Sequence, residues 1–255
     1  MSTTTRTRAA VVTGSAGGIG AGITDSLLAA GWHVLATDVD DALLASFAAE
    51  RTAHADMLRT VRADVASPAD WAAVVAEADA WVGGIDALVN NAGISPKHDG
   101  RKLLTAAIPP EEWERVIAIN LTGAFHGLQA VLEPMVERGW GRIVNLSSQA
   151  AHTGARVAGA HYGSTKAALL GLTRTVAHEY GPSGITSNAI TPGRIETPMA
   201  AGVSAEVNEG WRRAIPVGRL GTPADIGAMA AFLLSDEAAF VNGATFDVNG
   251  GSRMG

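Results

Sequence analysis

Thr13-Gly14-Ser15-Ala16-Gly17-Gly18-Ile19-Gly20 follows the apolar run Ala9–Thr13 and leads into a helix-like stretch near 18–30. A strand, a glycine-rich turn and a helix N-terminus in that order make an anion site. Backbone N–H groups and the helix dipole point at a phosphate, and the missing Cβ atoms let it approach. A glycine trio alone is weak, because plain turns also produce it. Here it opens the first βα unit of the chain, where a dinucleotide-binding sheet needs it. The spacing T-G-x-x-x-G-x-G assigns Gly14, Ser15, Gly18, Ile19 and Gly20 to the phosphate turn.

The same alternation continues downstream. Strand candidates are Ala9–Thr13, His33–Thr37, Leu58–Arg62, Ala87–Asn90, Arg142–Leu146, Thr186–Ile190 and Ala244–Val248, with helix-like stretches near 18–30, 40–50, 69–82, 111–138, 161–180 and 223–234. This rhythm predicts repeated βαβ units: an α/β fold, a doubly wound parallel sheet with helices on both faces. Pro68 and Pro223 suit first helical positions after the N-cap candidates Ser67 and Thr222. No linker, repeat or low-complexity segment divides the chain, so residues 1–255 read as a single domain.

Composition narrows the function classes. The 255 residues are 47% hydrophobic and 17% charged, which supports a sizeable core and excludes a disordered chain. Net charge is −6 and no Lys/Arg-rich run occurs, so nucleic acid is not an expected partner. The absence of cysteine excludes disulfides, thiol nucleophiles and thiolate metal sites. Met1–Arg8 is polar, and no uninterrupted apolar segment approaches the roughly 20 residues of a membrane span. A cytoplasmic protein without membrane association is the expectation.

The second strand ends at Asp38, about 20 residues beyond the glycines, as the dinucleotide fingerprint has it. A carboxylate there can accept hydrogen bonds from the adenosine ribose hydroxyls and repel a 2′-phosphate. No Arg or Lys lies in the glycine loop or at Val39 and Asp40, so NAD is favoured over NADP. The competing role for Asp38 is a helix N-cap ahead of Ala42. Asp64-Val65 closes the third strand within reach of an adenine. Asn91-Ala92-Gly93 follows the fourth, at the carboxyl end where open α/β sheets bind ligands, although the tetrapeptide Asn90–Gly93 also suits a turn.

Tyr162-Gly163-Ser164-Thr165-Lys166 places a phenol and an ammonium four residues apart, on one face of a helix. The cation stabilises the phenolate and so lowers the proton affinity of a group that ordinarily titrates near ~10. The chain has only two tyrosines, and its only lysines are Lys97, Lys102 and Lys166. Alone, the pair reads more readily as a half-buried Tyr beside a solvated Lys.

Taken in order, the glycine loop, N-N-A-G and Y-x-x-x-K resemble the short-chain dehydrogenase/reductase family, over essentially the whole chain from Val11 to Gly251. Pro192-Gly193 with Ile195 and Thr197, and Asp247-Val248-Asn249-Gly250-Gly251, belong to the same resemblance. It implies a seven-stranded Rossmann-type parallel sheet in the order 3-2-1-4-5-6-7. It also implies hydride transfer between a nicotinamide and a carbonyl or secondary alcohol. Carried onto this chain, Tyr162 is the acid/base. Lys166 lowers its pKa and holds the nicotinamide ribose, and Ser148 stabilises charge on the substrate oxygen. Asn120 holds a water that links Lys166 to solvent. Pro192 and Gly193 line the cofactor, and Ile195 and Thr197 meet the carboxamide. Pairing of the helices at 111–138 and 161–180 in a homotetramer is implied as well; no metal is.

One spacing departs from the family. Thirteen residues separate Ser148 from Tyr162, one more than expected, so either the loop from His152 to His161 carries an insertion or Ser147 is the catalytic hydroxyl. Consecutive residues at a strand end point to opposite sides, so only one serine can serve. Ser148 is the choice.

The substrate is less legible. The pocket loops are Ile94–Leu104, Gln149–His161 and Arg194–Trp211, and their apolar members Ile94, Met199 and Val203 suit a substrate that is partly apolar. Arg156 and Arg194 either clamp an anionic group or pair with acidic loop residues. His152 and His161 read as loop and core residues before proton relays; His126 and Gln129 read as packing or interface residues. The leading function is an NAD(H)-dependent oxidoreductase on a secondary alcohol or ketone. A 3-oxoacyl thioester reductase and a non-catalytic dinucleotide sensor are the alternatives. A serine hydrolase fails, because no G-x-S-x-G elbow occurs and Ser164 lies within a helical pattern.

Overall fold

The structure, a computed structural model, describes residues 7–154, 157–197 and 205–254. Seven strands form one sheet: β1 Ala9–Thr13, β2 His33–Asp38, β3 Leu58–Arg62, β4 Ala87–Asn90, β5 Gly141–Leu146, β6 Ile185–Pro192 and β7 Thr245–Val248. Every ladder is parallel, and the order is β3-β2-β1-β4-β5-β6-β7. Strands β1, β4, β5 and β6 are buried along their whole length, as strands covered on both faces must be.

Helices α1 Gly18–Ala29, α2 Asp41–Ala49, α3 Pro68–Val82, α4 Pro110–Ile117, α5 Gly123–Arg138, α6 Ala150–Thr153, α7 Ala160–Tyr180, α8 Ala205–Ala214 and α9 Pro223–Leu234 make the crossovers and the covering layers. One core packs Ile23, Leu27, Ile226 and Leu233 of α1 and α9 on Val12 and Val34. The other packs Trp71, Leu128, Val131 and Met135 of α3 and α5 on Val11 and Leu88. The stretch Pro110–Arg138 is long and apolar enough to cross a membrane by length and composition, but its Leu128, Val131, Leu132 and Met135 are buried in this second core.

Two elements differ from the sequence expectation. The stretch 111–138 is not one α-helix: Ala118–Thr122 forms a π-helical turn that rolls Asn120 inward to 1% exposure. Helix α8 occupies part of what reads as loop.

The polypeptide order reverses between β1 and β4, so the crevice at their carboxyl ends is the switch point where such sheets bind ligands. The α1–α9 layer is anchored by a capping box, in which Thr222 Oγ1 accepts from Asp225 N while the Asp225 carboxylate accepts from Thr222 N (2.7 Å) and from Arg219 (2.7 and 2.8 Å). The Arg219 hydrogen bonds hold the Asp225 carboxyl well below the usual range. Asp225→Ala is expected to cost about 1–2 kcal/mol at neutral pH, measured by urea unfolding. A depressed carboxylate stabilises above its unfolded pKa of about 4, so the gap to wild type should narrow as pH falls from there toward 2.

Candidate active site

The glycine turn begins with Gly14 in the left-handed region (φ +61°), a conformation that a side chain strains. A Cβ on Gly20 would lie 2.2 Å from Gly14 O, so α1 can start this close to the turn only with glycine there. The N–H of Ser15 (3.0 Å) and its hydroxyl (3.2 Å) both donate to Thr37 O; Ser15 is fully buried and braces the loop against β2 instead of facing the groove.

Asn91 braces the turn from the other side. Its amide donates to Thr13 O (2.8 Å) and Gly14 O (2.9 Å), while the N–H groups of Asn91 and Ala92 donate to Thr13 Oγ1 (3.0 Å each). Thr13, the first residue of the loop motif, has no role of its own in the sequence reading. A threonine closing a strand looks like ordinary β-propensity, and only the fold shows its hydroxyl joining β1 to β4.

Asp38 ends β2 with one carboxylate oxygen accepting from Val39 N (2.8 Å) and the other accepting from Ala16 N (3.3 Å) in the glycine turn. The helix N-cap falls to Asp40, which accepts from Ala42 N and Leu43 N. Arg62 stands opposite Asp38 in the β2–β3 register, but it is directed to Asp70 (3.5 Å) and Asp41 (4.0 Å).

These parts border one groove of about 760 Å³. Gly14, Gly18, Ile19 and Asp38 line one end together with Val39 and Leu43. Asp64, Val65, Ala92 and Gly93 line the middle; Ile94, Tyr162, Lys166, Pro192 and Thr197 line the other end. Arg115 of α4 reaches the same groove, a contact that its place on a charged helix face concealed. Gly193 and Ile195 stand behind the groove. Gly193 N donates to Val248 O (3.0 Å), and the Ile195 side chain is 5% exposed in the first core, its backbone bridged to Gly221. Asn120 also stands behind it, exchanging hydrogen bonds with the backbone of Ile94 (2.8 and 3.0 Å). A Cβ on Gly93 would lie 3.3 Å from Asn120 Oδ1 and 3.4 Å from Lys166 Nζ, so all three meet there.

Helix α7 presents Tyr162 and Lys166 on one face, with Lys166 Nζ 5.7 Å from the phenol ring centre. Lys166 is 3% exposed and donates to Leu146 O (2.6 Å). The two serines diverge as strand alternation requires. Ser147, which borders the groove, donates its Oγ to Lys166 O (2.6 Å), whereas Ser148 Oγ accepts from Ala150 N (3.1 Å) and acts to lower the Tyr162 phenol. Burial lowers the Lys166 ammonium to about 8. It raises the Tyr162 phenol above its ordinary value, and Ser148 pulls the other way. The sequence expectation is that Lys166 lowers Tyr162; in the structure burial is the largest influence on the phenol and raises it.

Arg156, Met199 and Val203 lie outside the described residues. Among the described residues no cluster of His, Asp and Glu is placed to hold a metal ion.

The sequence family described as enoyl-(acyl carrier protein) reductase matches residues 14–253. The chain is 39% identical over 251 residues to the 3-alpha-(or 20-beta)-hydroxysteroid dehydrogenase of Mycobacterium tuberculosis, covering 97% of this chain and 90% of that protein. It is 40% identical over 246 residues to the acetoacetyl-CoA reductase of Shinella zoogloeoides, covering 96% and 98%. The crystal structure of a 3-oxoacyl-[acyl-carrier protein] reductase from Brucella melitensis with bound NAD superimposes with a TM-score of 0.89 at 38% identity, covering 98% of this chain and 93% of that one. The chain belongs to the short-chain dehydrogenase/reductase family and is an oxidoreductase.

Proposed function

We propose that the protein is an NAD(H)-dependent oxidoreductase that interconverts a secondary alcohol and a ketone. The observation that carries this reading is Tyr162 lining one end of the groove beside a buried Lys166 on the same helix face, with Ser148 near enough to act on the phenol. Two neighbouring hydroxyls suit a single substrate oxygen. The glycine turn and Asp38, at the other end, fit the pyrophosphate and adenosine ribose. When bound, the nicotinamide supplies or receives the hydride at the substrate carbon.

The chain's own residues handle the proton. Tyr162 Oη gives its proton to a ketone oxygen, or takes one from an alcohol, and Ser148 donates a hydrogen bond to the same oxygen as charge develops. Lys166 keeps its charge at neutral pH, because its lowered value of about 8 still lies above 7. That charge favours the phenolate, and the ammonium is the donor we assign to the nicotinamide ribose. A homotetramer is the proposed assembly; Trp113 of α4, with Phe125 and Val136 of α5, leaves apolar surface exposed on the helices that would pair.

A thioester substrate is the second reading. Lys97, in the loop after β4, donates to Val157 O in the loop before α7, and both Lys102 and Arg194 act on it electrostatically. Cations gathered from the substrate-side loops suit an anionic group such as the phosphates of a coenzyme A or carrier-protein thioester.

NAD- and NADP-linked rates across uncharged secondary alcohols, hydroxy acids and 3-hydroxyacyl thioesters test both readings, and NAD-linked turnover of at least one class is expected. Asp38→Ala should relax discrimination against NADP by about tenfold, roughly one charge interaction of 1.4 kcal/mol. A wild type that already prefers NADP contradicts the role given to Asp38.

A further inference from the structure

Helix α7 starts without a side-chain cap. Its N-cap is Gly159, so the N–H three positions on, that of Tyr162 itself, has no cap oxygen to meet. His161 fills the role: its Nδ1 accepts from Tyr162 N at 2.7 Å. A ring nitrogen that accepts carries no proton, so Nε2 holds the proton and donates to Glu112 Oε1 at 2.9 Å. The imidazole is 1% exposed with both nitrogens engaged. Only glycine at 159 leaves room for it, since a Cβ there would lie 2.6 Å from His161 Cε1.

Glu112 has a second partner. Its Oε2 lies 2.7 Å from Nε2 of His98, a half-exposed residue in the loop after β4, whose Ile94 lines the groove. One carboxylate of α4 therefore ties the backbone of the acid/base residue to the loop expected to cover substrate. Hydrogen bonds from both imidazoles hold the Glu112 carboxyl below its ordinary range, so it stays an acceptor at neutral pH.

We propose that Glu112 and His161 are positioning residues for Tyr162, and that His98 latches the loop after β4 to the same carboxylate. The inference rests on Tyr162 being the acid/base of the proposed reaction, and it deepens that reading by naming what aims the phenol. His161 fixes the first turn of α7, Glu112 fixes the His161 tautomer, and movement of the loop reaches Tyr162 through His98.

The test compares Glu112→Ala with Glu112→Gln. The Gln carbonyl can still accept from His161 Nε2, so it should keep kcat within about threefold, whereas Ala should lower kcat by about 10–100-fold, the scale of a misplaced catalytic group. NADH affinity, by fluorescence titration, should stay unchanged in both. His98→Ala should raise KM for the alcohol about fivefold with a smaller effect on kcat, the split expected when the loop over the substrate is loosened.

A substrate-free readout separates this inference from the function itself. In a Tyr180→Phe background Tyr162 is the only tyrosine. Its phenolate absorbance titration should move toward the ordinary value of about 10 in Glu112→Ala but not in Glu112→Gln. Equal behaviour of the Ala and Gln variants, or an unmoved titration, overturns the positioning role while turnover by the wild type keeps the proposed function. An unchanged KM in His98→Ala overturns the latch. A shifted titration in a protein that turns over no alcohol or ketone overturns the function and leaves the positioning intact.

Discussion

Tyr162→Phe is expected to lower kcat by about 10³-fold while leaving NADH affinity within about twofold of wild type. The substitution removes one oxygen from a half-buried ring and leaves the α7 backbone bonds of Tyr162 N and Tyr162 O in place. What it deletes is the proton and the hydroxyl on which Ser148 acts. Ser148 alone can still polarise a substrate oxygen, which leaves a residual rate above the uncatalysed one. Steady-state rates with a reactive alcohol and fluorescence titration of NADH check the two halves of the expectation. Weakened NADH binding equal to the loss of rate would assign Tyr162 to the cofactor and not to the chemistry.

Lys166→Met has the second large effect, and it appears in three measurements. Turnover should fall by about 10²-fold or more, because the phenolate loses its nearby positive charge. NADH affinity should fall as well, by about tenfold, if the ammonium also holds the nicotinamide ribose. Stability should change its pH dependence. The folded pKa of about 8 lies below the ordinary lysine value of 10.5, so the unfolded chain binds more protons between those two values. Wild-type stability therefore gains about 3 kcal/mol from this group as pH rises across that window, and Lys166→Met should lose that slope. The ammonium is buried although its charge costs folding free energy, which is the signature of a group kept for function. Urea midpoints at pH 8 and 10 give the slope directly, and an unchanged slope would mean that the buried ammonium is not perturbed.

Much of the architecture was readable because doubly buried strands have to be short apolar runs. The sequence-predicted and observed bounds of β1, β3 and β4 coincide. The end of β2 was harder, since Asp38 itself suits a cap; the hydrogen bonds of Ala42 and Leu43 to Asp40 give that role to Asp40 instead. Strand alternation requires Ser147 and Ser148 to diverge, and their hydroxyls do take different partners, Lys166 O and Ala150 N. The π-helical turn at Ala118–Thr122 could not be read locally, because it is stabilised by Asn120 against the backbone of Ile94, 26 positions away in sequence. Glu112 escaped for the same reason. A glutamate in the first turn of a helix looks like a dipole partner, and its imidazoles come from 14 positions before it and 49 after it. Many groove residues thus sit in local motifs, whereas Arg115 of the groove and Glu112 behind it are brought to the site only by the fold.

Reduction of a ketone by NADH carrying deuterium at the transferable C4 position tests the central claim most directly. The product should carry that deuterium on the carbinol carbon, with a solvent-derived proton on the oxygen. For a 2-enoyl thioester offered in parallel, no deuterium should appear on the carbon chain. Deuterium on the former alkene carbon of the enoyl compound, with the ketone untouched, would contradict the assignment of Ser148 and Tyr162 to a carbonyl oxygen.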